Sequence, residues 1–248
     1  MFVNNHPIHH LNKDGGESWL GLLDGVYAIA MTLIAIELPE LIKSLYEASL
    51  KDTESGSFLN VVTIYEFVAY TATFLLLYEI WAYHKSIVRL GGIKRLAQNL
   101  INSVILALTC LGAGNIILIL KAKTAVALED FQRNVDQHQL FKDWVNVHLE
   151  MSLGTFVMVA VMFLLMSLLA RYSRKDQPTG STTATALRVL EIGTRWRAIC
   201  FLGFVLYHWV PEIVTQGQSE PMVPAGMMIL FYIMVNQILY PLIQSRRR

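Results

Sequence analysis

Long apolar stretches alternate with short polar segments along the chain. The apolar stretches cover residues 19–38, 58–83, 96–120, 147–170, 198–214 and 222–243. Their lengths lie around the roughly 20 residues that an α-helix needs to cross the hydrocarbon core of a bilayer. They are continuously apolar, whereas the strands of a membrane β-barrel alternate apolar and polar residues over about ten positions. The pattern therefore predicts an all-α membrane protein with six transmembrane helices.

Polar tails flank this helical region. Residues 1–18 contain no apolar run, so we expect a polar N-terminal tail without a cleavable signal peptide. Residues 19–243 are then one six-helix domain, and residues 244–248 are a basic C-terminal tail. The N-terminal tail contains His6, His9 and His10, for which a disordered polar tail is favoured over weak metal binding.

Composition and charge narrow the class of protein. Apolar residues make up 54% of the chain and charged residues 16%, and the net charge is +1; globular proteins have about a quarter charged residues. These values exclude a disordered chain, a basic nucleic-acid-binding domain and a disulfide-rich scaffold. Placing both termini in the cytoplasm puts 14 of the 20 basic residues on the cytoplasmic side. Positively charged loops stay in the cytoplasm, so we predict that orientation.

Motifs of enzymes are absent from the sequence. There is no GxSxG, HExxH, Walker loop or GxGxxG, so we predict no enzyme activity, no bound metal and no cofactor. Charges inside apolar stretches are costly in lipid and mark functional sites. Asp24, Glu66 and Glu79 are such residues, whereas Glu37 and Glu150 lie near the ends of their stretches, where contact with water explains them.

One face of the first helix is apolar at helical spacing. Ile29, Leu33 and Ile36 fall at positions i, i+4 and i+7, and Thr32 lies beside them. Two interpretations fit this stripe, namely packing against lipid or the protein core and the lining of a pore. The chain has no TVGYG sequence, which excludes a potassium channel with that carbonyl filter.

Two motifs in the first two helices resemble a known channel family. Residues 22–38 read LLDGVYAIAMTLIAIEL, and residues 73–84 read TFLLLYEIWAYH and end on Trp81-x-x-His84. Asn102 follows at the start of the third helix. These residues resemble the endo-lysosomal potassium channel family, transmembrane protein 175, and its prokaryotic relatives. The family opens its first helix with R-x-x-x-F-S-D, of which this chain keeps Asp24 and replaces the rest with Ser18, Leu22 and Leu23.

The resemblance implies a potassium-preferring cation channel. It implies a homotetramer of single six-helix repeats in a prokaryotic plasma membrane, with the first helices lining a central pore through which monovalent cations, K⁺ foremost, move passively. The implied pore residues are a constriction at Ile29, further apolar rings at Leu33 and Ile36, and a polar layer at Thr32. The implied network that braces the pore helix consists of Asp24, Trp81, His84 and Asn102.

Several alternatives remain open at this point. Trp81 is also explained as an aromatic anchor at the membrane surface. His84 is also explained as a solvated histidine at the cytoplasmic boundary; if it instead pairs with Asp24, conduction should vary with pH. A proton-coupled transporter that relays protons through Asp24, Glu66, Glu79 and His84 is the second functional hypothesis. A membrane-embedded enzyme or assembly scaffold is the third.

Overall fold

The structure, a computed structural model, describes residues 17–49, 56–132, 137–215 and 225–239. Within these ranges the chain is helical and contains no β-strand. The helices are α1 (Glu17–Ser49), α2 (Gly56–Gly91), α3 (Leu96–Gln132), α4 (Gln137–Lys175), α5 (Thr182–Thr215) and α6 (Ala225–Ile233), the last continuing as a π-helix over Met234–Leu239. The predicted all-helical class is confirmed for these residues.

The described part of each predicted apolar stretch lies in one of these helices. Among the described residues, Glu17–Ser44, Leu96–Ile116 and Leu153–Lys175 are long and apolar enough to cross a membrane. The expected tails lie outside the described residues, except that Glu17 and Ser18 already belong to α1. The three histidines of the N-terminal tail also lie outside them.

The helices extend further than the apolar stretches do. The α2 helix continues past Trp81 and His84 to Gly91. The polar segment 171–187 is helical at both ends, and only residues 176–181 form the turn between α4 and α5. Hydropathy marks the part of a helix that contacts lipid, whereas backbone hydrogen bonds continue the same helix into water.

The chain divides into two compact units. Unit 1 contains, among the described residues, positions 17–30, 78–112 and 156–203, and unit 2 contains the rest. The core of unit 1 includes a cluster of aromatic rings: Phe201 lies 6.1 Å from Phe156 and 6.0 Å from Phe163, measured between ring centroids. In unit 2, the side-chain amide of Asn115 donates a hydrogen bond of 3.1 Å to the hydroxyl of Thr155.

Glycine and serine set the two turns of unit 1. Gly92 has a φ of 67°, and its N–H donates to the carbonyl of Val88, which ends α2 in the left-handed conformation that glycine adopts without strain. Gly180 has a φ of 81° in the turn before α5. The hydroxyl of Ser181 then accepts a hydrogen bond from the N–H of Ala184, as a helix N-cap does.

Candidate functional site

The α1 helix presents two different faces. Ile29, Leu33 and Ile36 are exposed by 61%, 47% and 65% in the single chain, and Thr32 is exposed beside them. On the other side of the helix, the large side chains of Trp19, Leu23, Tyr27 and Ile34 are buried. Helical periodicity of this kind fixes which side of α1 packs against its own chain. The residues implied as pore lining therefore lie on the side that the chain itself leaves uncovered.

Asp24 is held by two side chains of α2. The indole Nε1 of Trp81 donates to Oδ1 over 2.9 Å, and the ammonium Nζ of Lys85 donates to Oδ2 over 2.8 Å. The same ammonium lies 4.8 Å from the ring centroid of Trp81. Asp24, Trp81 and Lys85 thus form a closed cluster, in which each member contacts the other two. Trp81 takes part in this cluster through its N–H.

His84 lies one helical turn from this cluster and is completely buried. Its Nδ1 lies 3.2 Å from the hydroxyl of Tyr27, and its Nε2 lies 2.8 Å from Oδ1 of Asn102. A neutral imidazole protonated on Nε2 satisfies both contacts, since the Tyr27 hydroxyl then donates to Nδ1 and Nε2–H donates to Asn102. His84 therefore neither pairs with Asp24 nor is solvated, because both ring nitrogens are engaged inside the protein, so the pH dependence expected from such a pair does not follow.

These contacts join three helices within unit 1. Asp24 and Tyr27 are neighbours on one face of α1, and they meet Trp81, His84 and Lys85 on one face of α2. The chain then continues through His84 to Asn102 on α3. A hydrogen bond contributes about 0.5–1.5 kcal/mol net, and more when one partner is charged. Three of these four bonds join α1 to α2 and therefore fix the rotation of α1 about its axis as well as its position, and the fourth joins α2 to α3.

Glu79 belongs to a second buried contact of unit 1. Its Oε1 accepts a hydrogen bond of 2.7 Å from Nε of Arg197 on α5, and the two side chains are only 5% and 11% exposed. The guanidinium also lies 4.3 Å from the ring centroid of Tyr83 and donates to the carbonyl of Gly193. Glu66, the other carboxylate of α2, is buried in unit 2.

Lys85 and Arg197 were both missed by the sequence interpretation. Lys85 follows Trp81 by four residues, a spacing that places both on one face of α2, so the motif that contains Trp81 already pointed to it. Glu79 is a carboxylate inside an apolar stretch, which predicts a cationic partner. Arg197 lies one residue before the fifth apolar stretch and near Arg188 and Arg195, so sequence does not single it out, and its separation of 118 residues from Glu79 hides the pair.

Long apolar helices joined by buried polar contacts define a helical integral membrane protein. In the described part of the chain, no three His, Cys, Asp or Glu side chains group closely enough to hold a metal ion. Residues 20–113 match the model of the family described as the endosomal/lysosomal potassium channel TMEM175. The match confirms the resemblance inferred from the motifs. It covers almost all of α1, the whole of α2 and the first half of α3, and therefore includes the Asp24 cluster and the His84 chain.

Comparisons with curated proteins and with solved structures gave no significant match. Residues 20–113 thus match a potassium-channel family, and the remainder of α3 together with α4, α5 and α6 lies outside the matched region.

Proposed function

We propose that the protein is a passive, potassium-preferring cation channel with six transmembrane helices and both termini in the cytoplasm. The observation that carries the proposal is the uncovered apolar face of α1 within the region that matches a potassium-channel family. Ile29, Leu33 and Ile36 line the ion path as successive apolar rings, and Thr32 contributes a polar layer between them. The protein resides in the plasma membrane, and the matched family supports a channel rather than an enzyme.

A single chain cannot surround an ion with one helix. The uncovered face of α1 must meet copies of itself to enclose a path, which closed rotational symmetry achieves. We infer a homotetramer with the four α1 helices at its axis. The three bonds that fix α1 on α2 then also fix which side chains point toward the axis, because rotation of α1 by one residue would replace Ile29 with Ala28 or Ala30.

The proposed selectivity rests on the cost of removing water from the ion. A ring of isoleucine side chains provides no oxygen ligands, so an ion that enters it sheds hydration without compensation, and the ring empties of water when closed. K⁺ is larger and more weakly hydrated than Na⁺, so it crosses such a ring at lower cost. The preference for K⁺ is therefore moderate compared with that of a carbonyl filter.

Three of the four relay groups that a proton-coupled transporter would use are engaged in contacts within the protein. Asp24 and Glu79 are in ion pairs with Lys85 and Arg197, and His84 is engaged through both ring nitrogens. The conducting path of the proposal needs none of these groups to change protonation.

Ion flux into liposomes tests the proposal. Purified protein is reconstituted, and uptake is followed under a K⁺ gradient and under a Na⁺ gradient without a pH gradient. We expect flux that rises with the ion gradient without saturating, faster for K⁺ than for Na⁺, together with a tetrameric mass in detergent. Flux that saturates and stops without a pH gradient would favour the transporter, and absence of flux in a well-folded preparation would refute both.

A further inference from the structure

Four helix ends meet at one end of unit 1. The side-chain amide of Gln98, at the start of α3, donates over 2.9 Å to Asp176, just after α4, and Arg95 pairs with the same carboxylate. Arg174, near the end of α4, forms an ion pair of 3.0 Å with Glu191 on α5. Gly91, the last residue of α2, packs directly against Ser173 of α4. We call this end of unit 1, residues 85–98 and 171–195, the polar rim.

The charge of unit 1 is strongly positive. Its described residues contain ten Lys or Arg residues and five Asp or Glu residues, whereas those of unit 2 contain four and nine. All the basic residues of unit 1 lie in the polar rim, apart from Arg197 just beyond it. The rim is therefore the end that the positive-inside rule assigns to the cytoplasmic leaflet.

Half of these cations have no carboxylate partner among the described residues. The other five are paired: Lys85 with Asp24, Arg197 with Glu79, Arg95 with Asp176, and both Arg174 and Arg195 with Glu191. The remaining cations, all exposed, are Arg89, Lys94, Arg171, Lys175 and Arg188. These four carboxylates of unit 1 are thus already paired, and the five unpaired cations give the surface of the rim a net positive charge.

Exposed apolar and aromatic side chains stand beside the surplus cations. Leu96, Tyr172, Val189 and Trp196 are exposed in the rim or next to it, and the ammonium of Lys175 lies 5.9 Å from the ring centroid of Tyr172. Tyrosine and tryptophan are favoured at the level of lipid headgroups, where one side of the ring is apolar and the other is wet. A phosphate with acyl chains attached satisfies both kinds of surface, whereas a nucleic acid or an acidic soluble protein would leave the apolar side chains uncovered.

We propose that the polar rim binds the phosphate groups of anionic phospholipids in the cytoplasmic leaflet. Arg89, Arg171, Lys175 and Arg188 hold the phosphates, and the adjacent aromatic and aliphatic side chains contact the upper part of the acyl chains. The unpaired cations of the rim repel one another, and the negative charge of bound lipid reduces that repulsion. Anionic lipid therefore stabilises the fold, independently of whether the protein conducts ions.

Thermal unfolding in detergent tests this site. Phosphatidylglycerol or phosphatidylcholine is titrated into the wild type, into the rim variant R89Q/R171Q/K175Q/R188Q, and into the control K43Q/K121Q/K123Q/K142Q, which removes the same number of charges from unit 2. We expect phosphatidylglycerol alone to raise the unfolding midpoint of the wild type and of the control. Each basic residue near an anionic surface contributes roughly fivefold in affinity, so the four substitutions together should lower the apparent lipid affinity by roughly 600-fold if all four residues contact the lipid and by about 25-fold if only two do. Added salt should weaken the effect.

Three outcomes would overturn the proposal. They are equal stabilisation by phosphatidylcholine, an undiminished response of the rim variant, and an equal rise of the midpoint with inorganic phosphate alone, which would identify a site for free phosphate. If the rim variant does not purify, the pairs R89Q/R171Q and K175Q/R188Q test the same prediction with half of the change in charge. Because the readout is unfolding and not flux, failure here leaves the channel proposal standing, and the reverse also holds.

Discussion

Lys85 supplies the cation that neutralises Asp24, and its replacement by methionine tests that role. The family motif places an arginine six residues before this aspartate, where this chain has Ser18. The ammonium that contacts Asp24 comes instead from α2, across 61 residues of sequence. Lys85→Met keeps most of the length and apolar character of the side chain and removes the charge. It therefore leaves the carboxylate with Trp81 as its remaining partner in the cluster.

The expected loss follows from the geometry and from the exposure of the two side chains. The Asp24 side chain is 44% exposed and that of Lys85 is 31% exposed, so water screens the pair and its contribution is about 1 kcal/mol. The contact of the ammonium with the indole ring adds about 0.5–1 kcal/mol. Lys85→Met should therefore destabilise the protein by about 1–2 kcal/mol, and each kcal/mol lowers the midpoint of thermal unfolding by roughly 2–4 °C.

A double-mutant cycle separates this interaction from a general effect on packing. Unfolding midpoints are measured in detergent for D24N, K85M and D24N/K85M. We expect a coupling of about 1 kcal/mol, because the double variant no longer contains an uncompensated charge. K85R should retain part of the stability. K43M is the matched control, since the pair of Lys43 with Glu47 is 74% and 60% exposed, and it should lose at most about 0.5 kcal/mol. Additive effects of D24N and K85M would refute the assignment.

Three further predictions follow from the other contacts of unit 1 and are measured by the same unfolding assay. R197M should destabilise by about 3–5 kcal/mol because it strands the buried carboxylate of Glu79, and R197M/E79Q should recover part of that loss; a double variant that is worse than R197M would contradict the pairing. G91A should cost about 1–3 kcal/mol, since a β-carbon there overlaps α4, whereas G114A, which meets nothing within 4 Å, should be neutral or stabilising; equal effects would refute the close approach. His84→Ala should cost at least about 2 kcal/mol because it leaves buried polar partners unsatisfied, and a smaller loss would show that His84 does not join the helices.

Sequence predicted the structure best where a residue pattern has a single structural explanation. Continuous apolar stretches of membrane-spanning length located the helices. The resemblance of the first three helices to a channel family singled out Asp24, Trp81, His84 and Asn102. The structure brings Asp24 to Trp81 and His84 to Asn102. Within a helix, fixed spacing converts sequence directly into shared faces, so the sequence placed Ile29, Leu33 and Ile36 on one face of α1 but did not decide whether that face is covered.

Pairing between helices was the part that sequence did not determine. A histidine and a carboxylate in neighbouring motifs, such as His84 and Asp24, suggest a pair. In the structure, however, His84 contacts Tyr27, and Asp24 contacts Lys85. Both His84 and Lys85 reach α1, and which α1 residue each of them contacts depends on the rotation of both helices, which one residue changes by about 100°. The ends of the helices could not be predicted from hydropathy either, because hydropathy indicates whether a residue contacts lipid or water and not whether its backbone is hydrogen-bonded in a helix.

Substitution of Ile29 by asparagine tests the central claim most directly. K⁺ and Na⁺ fluxes are measured in liposomes for the wild type, for I29N and for I64N. Ile64 is the matched control, because it is the same residue type on α2 and is 66% exposed against 61% for Ile29. If Ile29 forms the constriction, I29N wets it, so total flux rises and the preference for K⁺ over Na⁺ falls, while I64N behaves as the wild type. Unchanged flux and selectivity in I29N, with a normal unfolding midpoint, would contradict a pore lined by α1.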